Sequence, residues 1–399
     1  MRLCFYACDP PLRERAFGNH GVARHFVDLL RAESPVVLTQ RKRRSIDVAE
    51  ISSVCGDLPL WLHPSASSLG LRRFLPTLAS VLDALIFLFW LPTLSTRLRK
   101  AEIDRIFVLC GSDAWFLINI WLIQRLGIPV DVYWVDDIEE SSDQWPLRIL
   151  KFLIHPLLGS VLKNSARNFA ISPGFTESIS QHFGVAAEWL PLPAPEFILR
   201  SEDFVPCTES RRHIVFIGAI NRLYEDSLRE LYHEICKFNA DPRVGYSLVL
   251  EVISYASTTS FIDSLPNRDW VVSFEQLSDA DLQAHLRQAY ACFLPYSFAE
   301  SEKRMVSTSF SCKILEYFKC QRPILVYGPE YASIPRYFRD LNLPLCATSR
   351  EKLQQELHSI ESLDTFELPQ NYYAAWERFH SPAAIRSILL SPSVLPIDR

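Results

Sequence analysis

The chain has 399 residues, which is too long for one ordinary hydrophobic core and suits two domains of roughly 150 to 200 residues each. Hydrophobic residues make up 48% of the chain and charged residues 22%, a composition that excludes a largely disordered protein. The net charge of −5 gives no electrostatic footprint for a nucleic acid, and we interpret the short basic run Arg41–Arg44 as a solvated loop.

The ten cysteines occur singly, with no CxxC pair and no histidine spacing suited to zinc. We therefore expect buried, reduced thiols in a cytosolic protein. The apolar run at the N-terminus ends at Asp9 and is too short for the hydrophobic region of a signal peptide, so it is predicted to be the first core strand.

Short apolar runs alternate with helical patterns in both halves, which predicts parallel sheets covered on both faces. The predicted strands are Leu3–Cys8, Val36–Thr39, Arg105–Cys110, Val130–Val135, Asn168–Ser172, Glu188–Leu190, His213–Gly218, Leu248–Ile253, Trp270–Phe274, Cys292–Pro295 and Ile324–Tyr327. Residues 196–212 are irregular and are predicted to be a linker. The fold class is therefore α/β, with two doubly wound Rossmann-like domains (residues 1–195 and 213–370) that face a cleft.

In the loop after the first strand, Gly18 and Gly21 would let backbone N–H groups approach an anionic or polyol ligand, beside His20. The loop lacks GxGxxG, which excludes the dehydrogenase fingerprint, and a plain turn is the alternative. Further along, Asp136 and Asp137 follow a strand, with acidic residues beyond them. Either could orient or deprotonate a substrate hydroxyl, or else cap the following helix.

Two apolar segments with basic edges, Leu82–Leu94 and Trp145–Lys163, fall short of the length needed to span a bilayer. Both could lie in the surface of an anionic membrane, with the apolar face down and the basic residues toward the headgroups. The alternative is that they are ordinary core and surface helices of the first domain.

The segment Ser309–Pro329 combines a predicted helix, charges on one helix face and a buried strand. Ser309 and Ser311 can accept hydrogen bonds from the first backbone N–H groups of the helix. Lys313 and Glu316 are three positions apart, so they share a face. A charged face on a surface helix is the alternative interpretation.

This segment resembles the nucleotide-sugar half-site of glycosyltransferase family 4, whose pattern runs roughly Ser-x-x-x-Lys-hydrophobic-x-Glu-Tyr-x-x-x-Gly-x-Pro-hydrophobic. The resemblance implies that Glu316 binds the ribose hydroxyls of the donor nucleotide, since a carboxylate can accept two hydrogen bonds from a cis-diol. The sequence departs from the pattern at two positions. Thr308 stands where the family often has a second Glu, and Gln321 replaces the usual Gly, which predicts a less tight turn.

The same resemblance extends to the strand and loop Phe216–Arg222, where Gly218 is followed by a cation. It implies that Arg222 and Lys313 neutralise the donor diphosphate. The predicted donor site comprises Gly18, Gly21, Gly218, Arg222, Ser309, Ser311, Lys313 and Glu316. The predicted catalytic residues are Asp136, Asp137, His20, Arg222 and Lys313.

Residues 371–399 resemble the C-terminal helix of two-domain glycosyltransferases, which crosses back to brace the first domain, with Trp376 as its anchor. The function implied is that of a cytoplasmic GT-B enzyme that can associate with the inner face of the membrane. It would transfer a sugar from a nucleotide diphosphate sugar to a hydroxyl acceptor, with retention, in polysaccharide or glycolipid assembly. The acceptor would be a saccharide or a lipid-linked molecule.

No DxD motif stands at a predicted strand end, so no metal and no cofactor besides the donor are expected. Two other functions remain open. A nucleotide-sugar epimerase would use Asp136, Asp137 and His20 as acid and base groups, whereas Thr308 and Gln321 favour an inactive binding protein.

Overall fold

The computed structural model describes residues 2–12, 19–40, 48–65, 76–111, 113–138, 151–194, 197, 199, 209–254, 256–275, 277–363 and 367–391. It divides into two compact units, unit 1 (Met1–Pro195 and Pro382–Arg399) and unit 2 (Glu196–Ser381). The predicted Gly18, the basic run at 41–44, the acidic residues 139 and 140, the first residues of the segment 145–163 and most of the linker lie outside the described residues.

Unit 1 is built on a seven-stranded parallel sheet with the strand order β3-β2-β1-β4-β5-β6-β7. Its strands are β1 (Leu3–Ala7), β2 (Val36–Gln40), β3 (Leu60–His63), β4 (Arg105–Cys110), β5 (Val130–Trp134), β6 (Arg167–Ala170) and β7 (Glu188–Trp189). The edge strand β3 was not predicted, because it has four residues, most of them only half-buried.

The helices of unit 1 form two layers over this sheet. They are α1 (Asn19–Leu30), α2 (Val48–Cys55), α3 (Pro76–Lys100), α4 (Phe116–Ile123), α5 (Lys151–Asn164) and α6 (Pro173–Phe183). Right-handed crossovers put α3 to α6 on one face and α1 and α2 on the other. On the first face, α4 is almost entirely buried and contacts both α3 and α5.

Aromatic side chains fill the core between the central strands of unit 1 and α1. The ring of Phe26, from α1, lies 5.2 Å from the rings of both Phe107 and Tyr133. Phe5 stacks on Phe107 at 5.9 Å. Phe5, Phe107 and Tyr133 come from β1, β4 and β5. Their large buried rings therefore pack the centre of the sheet against α1.

Unit 2 is built on a six-stranded sheet with the order β10-β9-β8-β11-β12-β13, and all its pairs are parallel. Its strands are β8 (Arg211–Ile217), β9 (Ser247–Ser254), β10 (Val271–Glu275), β11 (Ala291–Pro295), β12 (Ile324–Tyr327) and β13 (Cys346–Ala347). Its helices are α7 (Glu225–Asn239), α8 (Thr259–Asp263), α9 (Asp279–Gln288), α10 (Lys303–Thr308), α11 (Lys313–Cys320), α12 (Ser333–Asp340), α13 (Arg350–Ser359) and α14 (Glu367–Phe379). The two sheets with their covering helices confirm the predicted α/β fold class.

One face of the second sheet carries a buried acidic residue. Glu251 in β9 is 4% exposed, and its carboxylate lies 2.5 Å from Nδ1 of His213 and 2.6 Å from Nδ1 of His285. Both imidazoles can donate to it, which compensates for removing the carboxylate from water. Because His213 lies in β8 and His285 in α9, the pair of contacts holds α9 on the sheet.

The chain returns to unit 1 through a separate short helix, α15 (Pro382–Leu389). The predicted C-terminal segment is therefore two helices, since Pro382 cannot continue the hydrogen-bonded ladder of α14. Arg167 of unit 1, which is 3% exposed, donates to the last carbonyl groups of α15 and forms a bidentate pair with Glu188. Trp376, the expected anchor on the first domain, packs against Phe197 and Tyr373 of unit 2.

Candidate functional site

Three loops of unit 2 meet at the carboxyl edge of its sheet. They follow β8, β11 and β12, which are adjacent and parallel, so their ends lie at the same edge. Open α/β sheets collect ligands at this edge. The predicted donor residues of unit 2 lie in the loop after β8, in the segment between β11 and α11, or in α11 itself.

Lys313 approaches the backbone at Gly218 closely. Gly218 has a φ of 111°, and a Cβ atom there would lie 2.7 Å from Cε and 3.3 Å from Nζ of Lys313. The ammonium group of Lys313 lies 4.0 Å from the ring centroid of Tyr224 and 5.4 Å from that of Phe216. Residues other than glycine rarely adopt this backbone conformation, and a Cβ atom would press on the Lys313 side chain. The structure thus brings Gly218 and Lys313, both predicted from the sequence, into contact.

Arg222 lies in the same loop after β8. Its Nε atom is 3.1 Å from Oε2 of Glu302, in the loop after β11. The Arg222 side chain is 57% exposed, whereas that of Glu302 is 7% exposed. Arg222 is therefore exposed enough to contact a ligand, while the buried carboxylate of Glu302 holds its Nε side.

The predicted cap of α11 is not formed. The helix begins at Lys313, and Cys312 before it has helical backbone angles and no side-chain cap. Ser309 accepts hydrogen bonds at its carbonyl from Ser333 and Tyr296. The hydroxyl of Ser311 is buried and has no hydrogen-bond partner among the described residues.

Tyr296 organises the chain just before α11. Its hydroxyl accepts a hydrogen bond from the backbone N–H of Ser311 at 3.0 Å. Burial raises the pKa of Tyr296 well above its ordinary value, so the hydroxyl keeps its proton at neutral pH. The tyrosine therefore holds the chain two residues ahead of α11, where the predicted serine caps do not form.

Glu316 lies on α11 with both carboxylate oxygens engaged. Gln283 of α9 donates to Oε2 at 3.0 Å, and Lys319 donates to Oε1 at 2.9 Å. A carboxylate offers about four acceptor positions, so each oxygen can still accept a ribose hydroxyl. The side chain is partly buried and has a fixed orientation.

The two departures from the family pattern have local explanations. Thr308 is 2% exposed, and its hydroxyl bonds to the carbonyl of Arg304. Gln321 has a φ of 55°, the left-handed conformation that ends a helix. The prediction of a less tight turn is therefore wrong, because glutamine adopts the conformation that glycine takes more readily.

In unit 1, the predicted residues that the structure describes follow the carboxyl ends of β1 and β5 in the first sheet. His20 is in the first turn of α1, and its Nδ1 lies 2.8 Å from the carbonyl oxygen of Pro10. A carbonyl can only accept, so Nδ1 carries the proton and Nε2 offers its lone pair when the ring is neutral. Gly21 is within α1 and not in the loop that the sequence predicted.

Asp136 and Asp137 follow β5, as predicted, and Asp137 is 3% exposed. The structure thus places His20 after β1 and the two aspartates after β5, on strands separated by β4.

The described side chains include no group of three or more His, Cys, Asp or Glu arranged to hold a metal ion. No described helix combines the length and the apolar character that crossing a membrane requires.

Sequence reasoning missed Glu302, Gln283 and Tyr296. Glu302 and Tyr296 follow a correctly predicted strand, so the rule that ligands gather after strand ends could have found them. Gln283 has no local signal, because its role depends on the packing of α9 against α11.

No protein-family model matches the sequence, and neither does any curated protein. Solved structures match it over almost its whole length. A UDP-forming α,α-trehalose-phosphate synthase from Burkholderia vietnamiensis aligns with a TM-score of 0.64 at 10% identity, over 98% of this chain and 96% of that one. The lipopolysaccharide outer core galactosyltransferase WaaB aligns with a TM-score of 0.60 at 13% identity, over 98% of each chain.

HepE from Anabaena, in complex with UDP, aligns with a TM-score of 0.58 at 10% identity, again over 98% of each chain. All three alignments extend over both units. The chain therefore has the GT-B fold, which the sequence predicted.

Proposed function

We propose that this protein is a glycosyltransferase that binds a nucleotide diphosphate sugar in unit 2 and transfers the sugar to a hydroxyl of an acceptor. The observation that carries the proposal is the pair of cations at the carboxyl edge of the second sheet, Arg222 in the loop after β8 and Lys313 at the start of α11. The fold supports it, since similar structures include a galactosyltransferase, a UDP-forming synthase and a UDP complex.

The chemistry requires stabilisation of a leaving diphosphate. As the bond between the sugar and the diphosphate breaks, negative charge builds on the phosphate oxygens, and Lys313 and Arg222 can stabilise it there. Lys313 and the exposed end of Arg222 can contact the diphosphate in place of a divalent ion, so we propose a metal-independent reaction. Transfer is expected to persist in EDTA, and a loss that Mg²⁺ or Mn²⁺ restores would contradict this.

We further propose that the configuration of the sugar is retained. In that case the acceptor oxygen attacks on the face from which the diphosphate leaves, and the acceptor proton passes to a departing phosphate oxygen. His20 and Asp136 would then orient the acceptor, His20 through the lone pair on Nε2. The anomeric configuration of the product, read by NMR, decides between retention and inversion.

We propose an acceptor held at a membrane, lipid-linked and used in polysaccharide or glycolipid assembly at the cytoplasmic face. Unit 1 supports this with exposed apolar side chains, of which Phe89 in α3 is 82% exposed and Phe152 in α5 is 69% exposed. Arg97, Arg99 and Lys100 end α3 with positive charge. Apolar side chains beside basic ones suit an anionic lipid surface.

The first test of the proposal is binding of nucleoside diphosphates, measured by calorimetry with UDP, GDP, ADP, CDP and TDP. Cys312 provides a second readout, because it is exposed and directly precedes Lys313. The bound nucleotide is expected to slow the alkylation of Cys312 by a maleimide, followed by mass spectrometry. If none of the five binds, the donor site is wrong.

Turnover then separates the remaining alternatives. A glycosyltransferase is expected to hydrolyse its donor slowly without acceptor, releasing the nucleoside diphosphate and the free sugar. An epimerase would instead give the epimeric sugar, and an inactive binding protein would bind the donor without releasing any product.

A further inference from the structure

Glu302 is a buried carboxylate beside Arg222, one of the two cations of the proposed donor site. It ends the short turn Glu300–Glu302, which follows β11, and it is 5% exposed. Two residues earlier, the side chain of Glu300 is 80% exposed and pairs with Lys303. A carboxylate is costly to bury without a compensating charge, so the burial of Glu302 points to a specific partner.

That partner is Arg222. Its Nε atom is 3.1 Å from Oε2 of Glu302, and Ser301 donates to Oε1 at 3.3 Å. The contact with Arg222 is an ion pair whose angle does not meet hydrogen-bond geometry, since Oε2 has no hydrogen-bond partner among the described residues. The attraction is therefore mainly electrostatic, and it acts on a carboxylate oxygen that is itself buried.

The ion pair engages one side of the guanidinium group. Nε faces the buried carboxylate, whereas more than half of the Arg222 side chain remains exposed. The two terminal nitrogen atoms of an arginine can bind phosphate as a planar fork once the side chain is held in one orientation. Holding the side chain before the ligand arrives reduces the entropy lost on binding.

We propose that Glu302 is a positioning residue, which holds Arg222 ready for the diphosphate of the donor. This inference rests on the proposed function, because it takes the anionic ligand from there. Glu302 does not bind the diphosphate itself, since a carboxylate repels it. Its whole contribution passes through Arg222. Because the ion pair of Arg222 and Glu302 has no net charge, Lys313 supplies the net positive charge that the diphosphate requires.

A double-mutant cycle with E302Q and R222A tests the inference, with calorimetry of the nucleoside diphosphate that the unmodified protein binds most tightly. E302Q keeps the shape of the side chain and removes its charge, so the affinity is expected to fall about tenfold. In the R222A background, E302Q is expected to cause no further loss. E300Q, in the same turn, is the matched control and is expected to bind as the unmodified protein does.

A second measurement covers the case in which E302Q is unstable. R222A leaves a buried charge uncompensated, so R222A is expected to melt at a lower temperature than the R222A/E302Q double variant. E302D keeps the charge but withdraws it by one methylene, and it is also expected to weaken nucleotide binding.

Three results would overturn the inference. Independent losses from E302Q and R222A would mean that Glu302 acts on the ligand or the fold directly. Unchanged affinity in E302D and E302Q would leave Glu302 with a structural role. If the unmodified protein binds no nucleoside diphosphate, the proposed function fails and this inference fails with it, even where the melting temperatures show the ion pair.

Discussion

At the scale of single residues, Glu316 is the side chain proposed to bind the ribose of the donor nucleotide. Gln283 and Lys319 fix its carboxylate, and its remaining acceptor positions suit the two ribose hydroxyls of a nucleotide. We predict that Glu316→Ala weakens nucleoside diphosphate binding by about 1.5 to 3 kcal/mol, the size usual for a charged hydrogen-bond partner. Calorimetry with the preferred nucleoside diphosphate measures the loss.

The control for this prediction changes the ligand as well as the protein. A 2′,3′-dideoxy nucleoside diphosphate is expected to bind the unmodified protein more weakly and the Glu316→Ala variant no more weakly than the ribose form. Lys319→Ala removes a partner but keeps the carboxylate, so it is expected to have a smaller effect. Equal discrimination against the dideoxy form in all variants would remove Glu316 from the ribose site.

Gly218 controls the position of Lys313. A methyl group at Gly218 would lie 2.7 Å from Cε of Lys313, so Gly218→Ala is expected to displace the ammonium group. We predict that Gly218→Ala and Lys313→Ala both lower kcat more than they raise KM, because the diphosphate carries most charge in the transition state. Lys313→Arg is expected to rescue poorly, since a planar fork does not replace a point charge.

Steady-state kinetics of sugar transfer measures these effects. Gly184→Ala is the matched control, because Gly184 has a φ of 63° and an added Cβ would meet no atom within 4 Å. It is expected to cost stability but not turnover. A rise in KM alone in both test variants would show that Lys313 binds the donor without stabilising the transition state.

Asp131 makes the stability of unit 1 depend on pH. Burial raises the pKa of Asp131 from 3.8 to about 6, although Arg105, 3.2 Å away, opposes the shift. Between these two values the folded state binds a proton that the unfolded state releases, so this group favours folding at low pH. Its contribution is lost as the pH rises through about 6.

We therefore predict that the free energy of unfolding of the unmodified protein falls, relative to that of Asp131→Asn, by about 2.5 kcal/mol between pH 4 and pH 7. Urea titrations of both proteins at a series of pH values measure the difference. A difference that does not change with pH would show that Asp131 titrates normally in the folded protein.

At the scale of elements, α3 has an unusual surface. Its buried side chains, among them Phe87, Leu94 and Leu98, face the sheet, yet Leu88 and Phe89 are exposed on the other side. A helix that is apolar on both sides is normally buried all round or in contact with a membrane. The basic residues of its last turn favour the surface of an anionic membrane over a position within it.

We predict that the protein floats with vesicles that contain phosphatidylglycerol and that the binding weakens as salt is raised. Phe89→Ser is expected to reduce flotation strongly. Leu390→Ser removes another exposed apolar side chain, outside α3, and is expected to leave flotation unchanged. If the unmodified protein does not bind anionic vesicles at low salt, the proposal of a membrane-held acceptor is wrong.

The buried side of helix α11 could be predicted from its own sequence, but the contacts before its first turn could not. Its apolar stripe and its charged residues were readable from the sequence, because helical spacing puts Ile314, Leu315 and Phe318 on the buried side. Its N-terminal cap was not, because serine is only one possible partner for the first turn. Tyr296, fifteen residues before Ser311, instead holds the chain ahead of the helix by accepting a hydrogen bond from the backbone N–H of Ser311.

At the scale of the whole molecule, the alternation of apolar runs identified the strands at the centre of both sheets. Buried parallel strands are continuous runs of apolar residues, a pattern that does not depend on the neighbours. The edge strands β3 and β13 were missed because they are short or half-exposed, and their strand conformation comes from pairing with β2 and β12.

The sequence by itself determined the fold class, the α11 motif and which charged residues follow which strands, since these depend on local spacing and on apolar periodicity. Tertiary structure alone decided that Gly218 admits Lys313, that Gln283 holds Glu316 and that Glu302 is buried beneath Arg222. Each of these contacts joins elements far apart in the chain. Their geometry depends on how parallel strands and their helices pack, which no local pattern in the sequence records.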